Sequence, residues 1–399
     1  KPQTAPVVPL MNRPFGDPAR RDREASLVLD AITDTRTGNV LSVDQFAKRL
    51  ADTRLVFFGE SHTHPEVHAA QALLLEALAV TGRPVVVALE MFPRDDGVDA
   101  ALARWTAGAG DESSFLADSR WYEHWGYHFG YYRDVFEVAR RRKLPLHGVN
   151  IPREVITAVR KKGFEGLTSA EKAHLPAPVE IDNDEHRRLF RAHFENAAGS
   201  AHAEMSEEAW AGMFRAQCTW DAVMGWNAVR LLEKQTAPDA IVVVLIGSGH
   251  VAFDLGATRQ IASAARAATL IALPILDEDG QPSRARASYA DYLWAQPPEP
   301  TLPPFPTLGI SLSSSPGAAH PTVVMVMPES AAAVAGIAPG DLVVAVEDHP
   351  VGDKATFSRL MADKRWGQTV KVTVRRGDKT HALSAPLRRK WEDPSASKD

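Results

Sequence analysis

Four apolar runs each end on a group able to carry a proton or hold a cation. Leu55–Phe58 leads into Gly59-Glu60-Ser61-His62-Thr63-His64, Val85–Leu89 into Glu90, Leu144–Val149 into Asn150, and Ile241–Ile246 into Gly247-Ser248-Gly249-His250. A carboxylate beside an imidazole is the pair that general acid–base chemistry uses near neutral pH. The same side chains, Glu60, His62 and His250, are of the types that ligate a divalent metal. A single Glu or His after a strand is ordinary and usually solvated, so only the recurrence over four runs is informative.

The runs themselves say where these groups should go. Short segments apolar on both faces read as buried parallel strands, and helical patterns lie between them, the first being Pro65–Val80 with proline at a first helical position. In an open parallel sheet the carboxyl ends share one edge, and ligands bind in the crevice there. Glu60, His62, Glu90 and His250 are therefore expected to converge within about 10 Å, as one site requires. A helix-rich insertion, roughly 154–234, separates the third and fourth strands, and its HLPAPVEIDND stretch reads as a loop.

At 296–306 the composition changes. QPPEPTLPPFP holds six prolines, which deny the backbone both helix and ladder, so a semi-rigid linker is expected that keeps two domains apart. Beyond it Val323–Val326, Leu342–Val346 and Val370–Val374 read as strands. The chain thus divides into a tether (1–25), an α/β domain with a parallel-containing sheet flanked by helices and a helical insertion (26–295), the linker (296–306), a small β-rich domain (307–388) and a tail (389–399).

Composition narrows the function classes. With 399 residues, 45% of them hydrophobic, each of two domains has a core. A net charge of −5 lacks the basic surplus of a nucleic-acid binder. The one cysteine, Cys218, cannot form an internal disulfide and reads as a buried inert thiol. No apolar run reaches the ~18 residues of a membrane span. A chain opening on Lys1 with KPQTAPVVPL reads as the product left when an export signal is removed.

LVFFGESHTHPEVHAAQ, VVVALEMFPRDD, WYEHWGYHFGYYRDVFEVARRRKLPLHGVNIPREV, AQCTWDAVM and VVVLIGSGHVA resemble, in order and spacing, the ChaN-like haem-binding lipoproteins over roughly residues 30 to 280. The resemblance implies haem binding, export to the periplasm or outer membrane, a role in iron or haem uptake, and a homodimer enclosing the haem. It also implies membrane contact only through a lipid anchor that this chain has lost. A tyrosine ligand to ferric haem is implied, since phenolate is a recognised axial ligand. The aromatic stretch 121–132 supplies candidates, Tyr132 first and Tyr127 second; it also reads as an aromatic helix packed on the sheet. The basic run Arg140-Arg141-Arg142-Lys143 suits a helix C-terminus or, alternatively, haem propionates.

The family is similar to a wider group with TIKI-type metalloproteases and erythromycin-esterase-like hydrolases, whose active-centre motifs match Glu60, His62, Glu90 and His250. A metal-dependent hydrolase or peptidase is therefore the alternative reading. LGISL, VVMVMPESAAAVAGIAPGDLVVAVEDHPV and VKVTVRRGDKTHAL resemble a PDZ domain of bacterial envelope proteases across 307–388. That resemblance places a carboxylate-binding loop at Thr307-Leu308-Gly309, with Leu308, Gly309 and Ile310 receiving the C-terminus of a protein partner, or of a substrate in the hydrolase reading. The helix 354–362 forms the other groove wall.

Overall fold

The computed structural model describes residues 8–197, 205–277, 280–300, 302–314 and 317–388. The chain forms two compact units, one of residues 1–119 and 133–299, the other of 120–132 and 300–399.

The first unit is built on eight strands: β1 (Ile32–Asp34), β2 (Val40–Leu41), β3 (Leu55–Glu60), β4 (Val85–Pro93), β5 (Leu146–Asn150), β6 (Ile241–Gly247), β7 (Ala268–Pro274) and β8 (Tyr292–Gln296). They lie in the order β2-β1-β8-β7-β3-β6-β4-β5. The pairs from β8 to β5 are parallel, and β1 and β2 close one side antiparallel. Every residue of β3 and β6 is buried, as expected of strands covered on both faces. Helix Pro65–Val80 carries proline in its first turn, where no N–H is needed. Helix Glu207–Glu233 buries thirteen residues, Asp221 among them. The insertion forms helices Arg153–Lys162, Ser169–Lys172, Asp184–Ala197 and Glu207–Glu233, with residues 174–183 non-helical.

The four expected strands are present, but all four end beyond their apolar runs, and the third begins at Leu146 rather than Leu144. Glu60 and Glu90 are strand residues rather than loop residues. Strands β1, β2, β7 and β8 carry no expectation from sequence; two are only two or three residues long, below what an alternation pattern resolves. The tether expected over 1–25 does not extend through 8–25. Phe15 and Arg20 are buried there, and Arg20 donates to Asp17 at 2.8 Å and Thr35 at 2.9 Å, because a buried guanidinium must be paired. Residues 1–7 and the tail 389–399 lie outside the described residues.

The second unit holds β9 (Ile310–Ser313), β10 (Thr322–Val326), β11 (Leu342–Val346), β12 (His349–Pro350), β13 (Thr369–Arg376) and β14 (Lys379–Pro386). The order is β14-β13-β11-β10-β9 with β12 on β11, antiparallel throughout. Its core comprises Leu308, Val323, Ile337, Val343, Val346, Val370, Val372 and Val374 with their neighbours. Helix Ala331–Ala335 ends at Gly336, and helix Lys354–Ala362 is capped by Asp353, which accepts from Thr356 N–H at 2.7 Å. Within the 296–306 linker, Pro303 O accepts from Trp366 Nε1–H at 2.8 Å, and the Phe305 ring stacks on His128.

The segment 120–132, expected within the first domain, packs with this second unit. It folds as a helical turn, Trp121–His124, and a 3-10 turn, Phe129–Tyr131, not as one aromatic helix.

Candidate functional site

Strand order brings the sequence-distant groups together. Strand β6 lies between β3 and β4, with Glu60 in register with Gly247 and Leu89 with Leu245. Glu60 and Glu90 thus flank the end of β6, and His250 follows that end in a 3-10 turn, Ser248–His250. Both carboxylates are buried, while His62 and His250 are partly exposed: the acids form the floor and the rings the mouth.

Each carboxylate is engaged. Glu60 Oε1 lies 3.0 Å from His62 Nδ1, and its Oε2 accepts from Gln71 Nε2 at 2.6 Å with His68 Nδ1 at 3.7 Å. Glu90 accepts from the Gly247 N–H and sits 3.5 Å from His250 Nε2. A methyl group at Gly247 would approach His62 Cε1 to 3.0 Å and Glu90 Oε2 to 3.5 Å, which shows how closely the two halves meet at that backbone. On its far side the His250 ring donates Nδ1–H to Asp221 Oδ1 at 2.7 Å, and Gln217 donates to the same oxygen at 3.2 Å. Asp221 Oδ2 lies 3.5 Å from His186 Nε2, and His186 Nδ1 lies 3.8 Å from Cys218 Sγ.

The electrostatics follow from this pairing. Burial alone would lower the His250 imidazole, but the Glu90 charge and the Asp221 hydrogen bond outweigh it and raise the ring to about 10. Burial opposes ionisation of Glu60, yet the His68 and His62 rings and the Gln71 amide bring it down to about 2. Glu90 is lowered, against its burial, chiefly by His250; His62 is raised, against its burial, by the hydrogen bond to Glu60. Buried Cys218 is pushed up by desolvation and by Asp221, so its thiol is inert.

The four side chains singled out from sequence therefore meet, as two acid–imidazole pairs beside Gly247. His68, Gln71, Gln217, Asp221 and His186 complete the network without having been singled out. The signal was present in the spacing: His68 and Gln71 stand three apart, and Gln217 and Asp221 four apart, so each pair shares a helix face. Asn150 takes no part in the acid–imidazole pairs. It donates to Glu90 O at 2.8 Å and lines a cavity of about 390 Å3 with Arg94, Asp95, Asp99, Asn227 and Arg230.

The donor set does not suit a divalent metal in this arrangement. Three carboxylate oxygens are committed to hydrogen bonds from neighbouring rings, Gln71 or Gly247, and among the described residues no group of three or more His, Cys, Asp or Glu is disposed to hold an ion.

The tyrosine candidates sit elsewhere, in 120–132. Tyr132 is wholly buried, with Trp121 at 5.4 Å and Trp125 at 6.3 Å. Tyr127 is 36% exposed and lies 5.4 Å from Trp125. A haem needs an apolar wall and a reachable anionic ligand; Tyr127 beside the Trp125 ring fits both, whereas Tyr132, wholly buried, is out of reach and supports Trp121 and Trp125 from behind. The basic run serves structure: Arg141 and Arg142 pair with Glu76, and Arg140 donates to Gly108 O and Gly110 O while covering the Trp105 ring.

In the second unit Leu308 and Gly309 lead into β9. Neither N–H donates to another group among the described residues. Gly309 has φ +74°, and a methyl group there would lie 2.3 Å from Ser330 Cβ.

These features define a class: a doubly covered α/β sheet with a buried acid–imidazole network at its carboxyl edge, joined to an antiparallel PDZ-type domain. Residues 46–261 match the sequence model of the family described as haem-binding uptake, Tiki superfamily, ChaN, and the chain belongs to that family. Residues 306–387 match the PDZ domain. Among solved structures, ChaN of Campylobacter jejuni, described with cofacial haem binding, superposes with a TM-score of 0.51 at 16% identity, covering 67% of this chain and 98% of that one. That likeness shows the fold. The serine endoprotease from Yersinia pestis matches 21% of this chain and 29% of its own at 25% identity, TM-score 0.19. The HtrA3 PDZ domain bound to a phage-derived ligand matches 20% and 83% at 22% identity, TM-score 0.19. No curated protein matches the chain.

Proposed function

We propose that this protein binds haem in the bacterial envelope, at the periplasmic or outer-membrane face, and serves iron or haem acquisition or handling. Membership of the haem-binding family supports this reading, and the single observation that carries it is Tyr127, exposed on an aromatic platform. When bound, haem would supply a ferric iron that a phenolate can ligate. Tyr127 would hold the iron, with Trp125 beside it as wall; a homodimer closing over the macrocycle belongs to the same reading. The PDZ domain recruits a protein partner by its free C-terminus, received by the Leu308 and Gly309 amides while the chain adds along Ile310 and β9.

A haemin absorbance titration tests this. Tyr127→Phe removes the ligand oxygen but leaves the apolar area, so it should weaken binding and shift the visible spectrum without unfolding. Tyr132→Phe should do less, and His62→Ala and His250→Ala least. Normal spectra for Tyr127→Phe together with loss of the Soret shift in the histidine variants would overturn the ligand assignment.

The acid–imidazole network favours a second reading, a hydrolase or peptidase whose PDZ domain captures substrate C-termini. Burying Glu60, Glu90 and Asp221 beside one another is expensive unless they are paired, and such perturbed groups concentrate at functional sites. Here the Glu60–His62 pair would take a proton from water and His250 would stabilise developing negative charge. Cleavage of a peptide that is lost in Glu60→Gln and kept in Tyr127→Phe supports it; no cleavage by the unmodified chain, with or without added zinc, removes it.

A further inference from the structure

The second unit contains more than a PDZ domain. Helix Lys354–Ala362 ends with carbonyls that have no partner within the helix. His128 reaches the last of them: its Nε2 lies 2.9 Å from Ala362 O. Its Nδ1 accepts the Gly130 N–H at 2.9 Å, so the proton is on Nε2 and that nitrogen donates to the carbonyl. The same ring stacks on Phe305 at 3.7 Å and 10°. Tyr131 meets the Phe305 ring edge-on, 4.9 Å away at 80°. The approach leaves no room for a side chain at 130: a methyl on Gly130 would lie 2.2 Å from Phe305 Cζ.

Both anchors adjoin the peptide groove proposed above. Phe305 stands two residues before the loop Thr307-Leu308-Gly309, and Lys354–Ala362 is the groove helix. From His128 the packing continues within the same short segment to the candidate haem ligands. Trp121 touches Phe129 at 5.1 Å and Tyr132 at 5.4 Å, and Trp125 touches Tyr127 at 5.4 Å and Tyr132 at 6.3 Å.

We propose that Phe305 and the C-terminus of helix Lys354–Ala362 are positioning elements for haem capture, holding 120–132 so that Tyr127 is presented, and that the peptide groove and the haem ligand are thereby coupled. The role assigned to Tyr127 rests on the haem reading; the clasp itself does not. Phe305 lies outside the matched family region, so nothing in the haem-binding motifs would single it out. Aromatic stacks contribute through geometry as well as buried area. Removing Phe305 should therefore release the segment rather than unfold the domain, because the PDZ core is made by other residues.

The full chain is compared with Phe305→Ala and the conservative Phe305→Tyr, by amide hydrogen exchange and by haemin titration. In Phe305→Ala, exchange across 121–132 should rise roughly tenfold while strands β10, β11 and β13 keep theirs, and haemin affinity should fall about fivefold or more. Phe305→Tyr should restore both. Unchanged exchange in 121–132 overturns the clasp. Faster exchange with unaltered haemin affinity overturns the positioning role. General acceleration through β10, β11 and β13 shows that Phe305 supports the PDZ core instead, and also overturns the proposal. If the unmodified chain gives no Soret shift, the haem reading and the positioning of Tyr127 fail together, and the exchange comparison still decides the clasp.

Discussion

At the scale of single residues, the acid–imidazole pairs divide the pH axis. Glu60, whose ordinary value is 4.5, titrates at about 2 in the folded chain. A lowered carboxylate contributes stability that is complete above 4.5 and is lost as pH falls toward 2. His250, ordinarily 6.5, titrates at about 10. A raised imidazole contributes stability that is complete below 6.5 and is lost as pH rises toward 10. Glu90 and His62 shift in the same two directions. Unfolding of the first unit should therefore show greatest stability between about pH 4.5 and 6.5. His250→Gln should flatten the alkaline arm, whose limiting slope is about 1.4 kcal/mol per pH unit for one proton. Urea melts followed by near-UV circular dichroism from pH 3 to 10 check this; an alkaline arm that survives His250→Gln places the proton elsewhere. Glu60, His62, Glu90 and His250 were visible from sequence because each stands beside an apolar run. Asp221 was not, because it sits mid-helix within an apolar stretch, and only the approach of that helix to the end of β6 reveals its role.

At the scale of elements, strand order does the assembling. An apolar run signals a strand but not its neighbour, and β6, late in the sequence, is inserted between β3 and β4. The PDZ elements were more legible. Strands over 323–326, 342–346 and 370–374 follow from short apolar runs, and the helix 354–362 from the PDZ resemblance; the structure adds the Asp353 cap. The loop before β9 offers the sharpest test at this scale. Gly309→Ala combines a positive φ with contact to Ser330, so it should lower PDZ stability by about 1–2 kcal/mol and abolish capture of a peptide with a free C-terminus. Fluorescence anisotropy with matched free-acid and amidated peptides measures this. Equal binding of the two peptides by the unmodified chain would contradict the carboxylate-loop role.

At the scale of the whole molecule, the two units have separate cores: one around β3, β6 and helix Glu207–Glu233, the other around β10, β11 and β13. Cores without shared residues melt as independent cooperative units. Calorimetry of the full chain should resolve two transitions. Ile246→Ala should lower only the first unit's transition and Val372→Ala only the second's, each by a loss of about 2–4 kcal/mol. A single transition moved by both substitutions would show that the units unfold as one.

What the sequence by itself determined was local and periodic: the buried parallel strands, the proline-rich break at 296–306, the PDZ strands, and the residue types placed at each strand end. Those follow from hydrophobic patterning and backbone chemistry within a dozen residues. The tertiary structure alone decided three further things: that β6 sits between β3 and β4 so that two acid–imidazole pairs share one edge, that Asp221 backs His250, and that 120–132 packs with the PDZ unit through Phe305 while Tyr132 is buried and Tyr127 exposed. Each depends on which surfaces meet after collapse. Apolar burial is non-directional, so a pattern of aromatic residues records that a face will be covered without recording what will cover it.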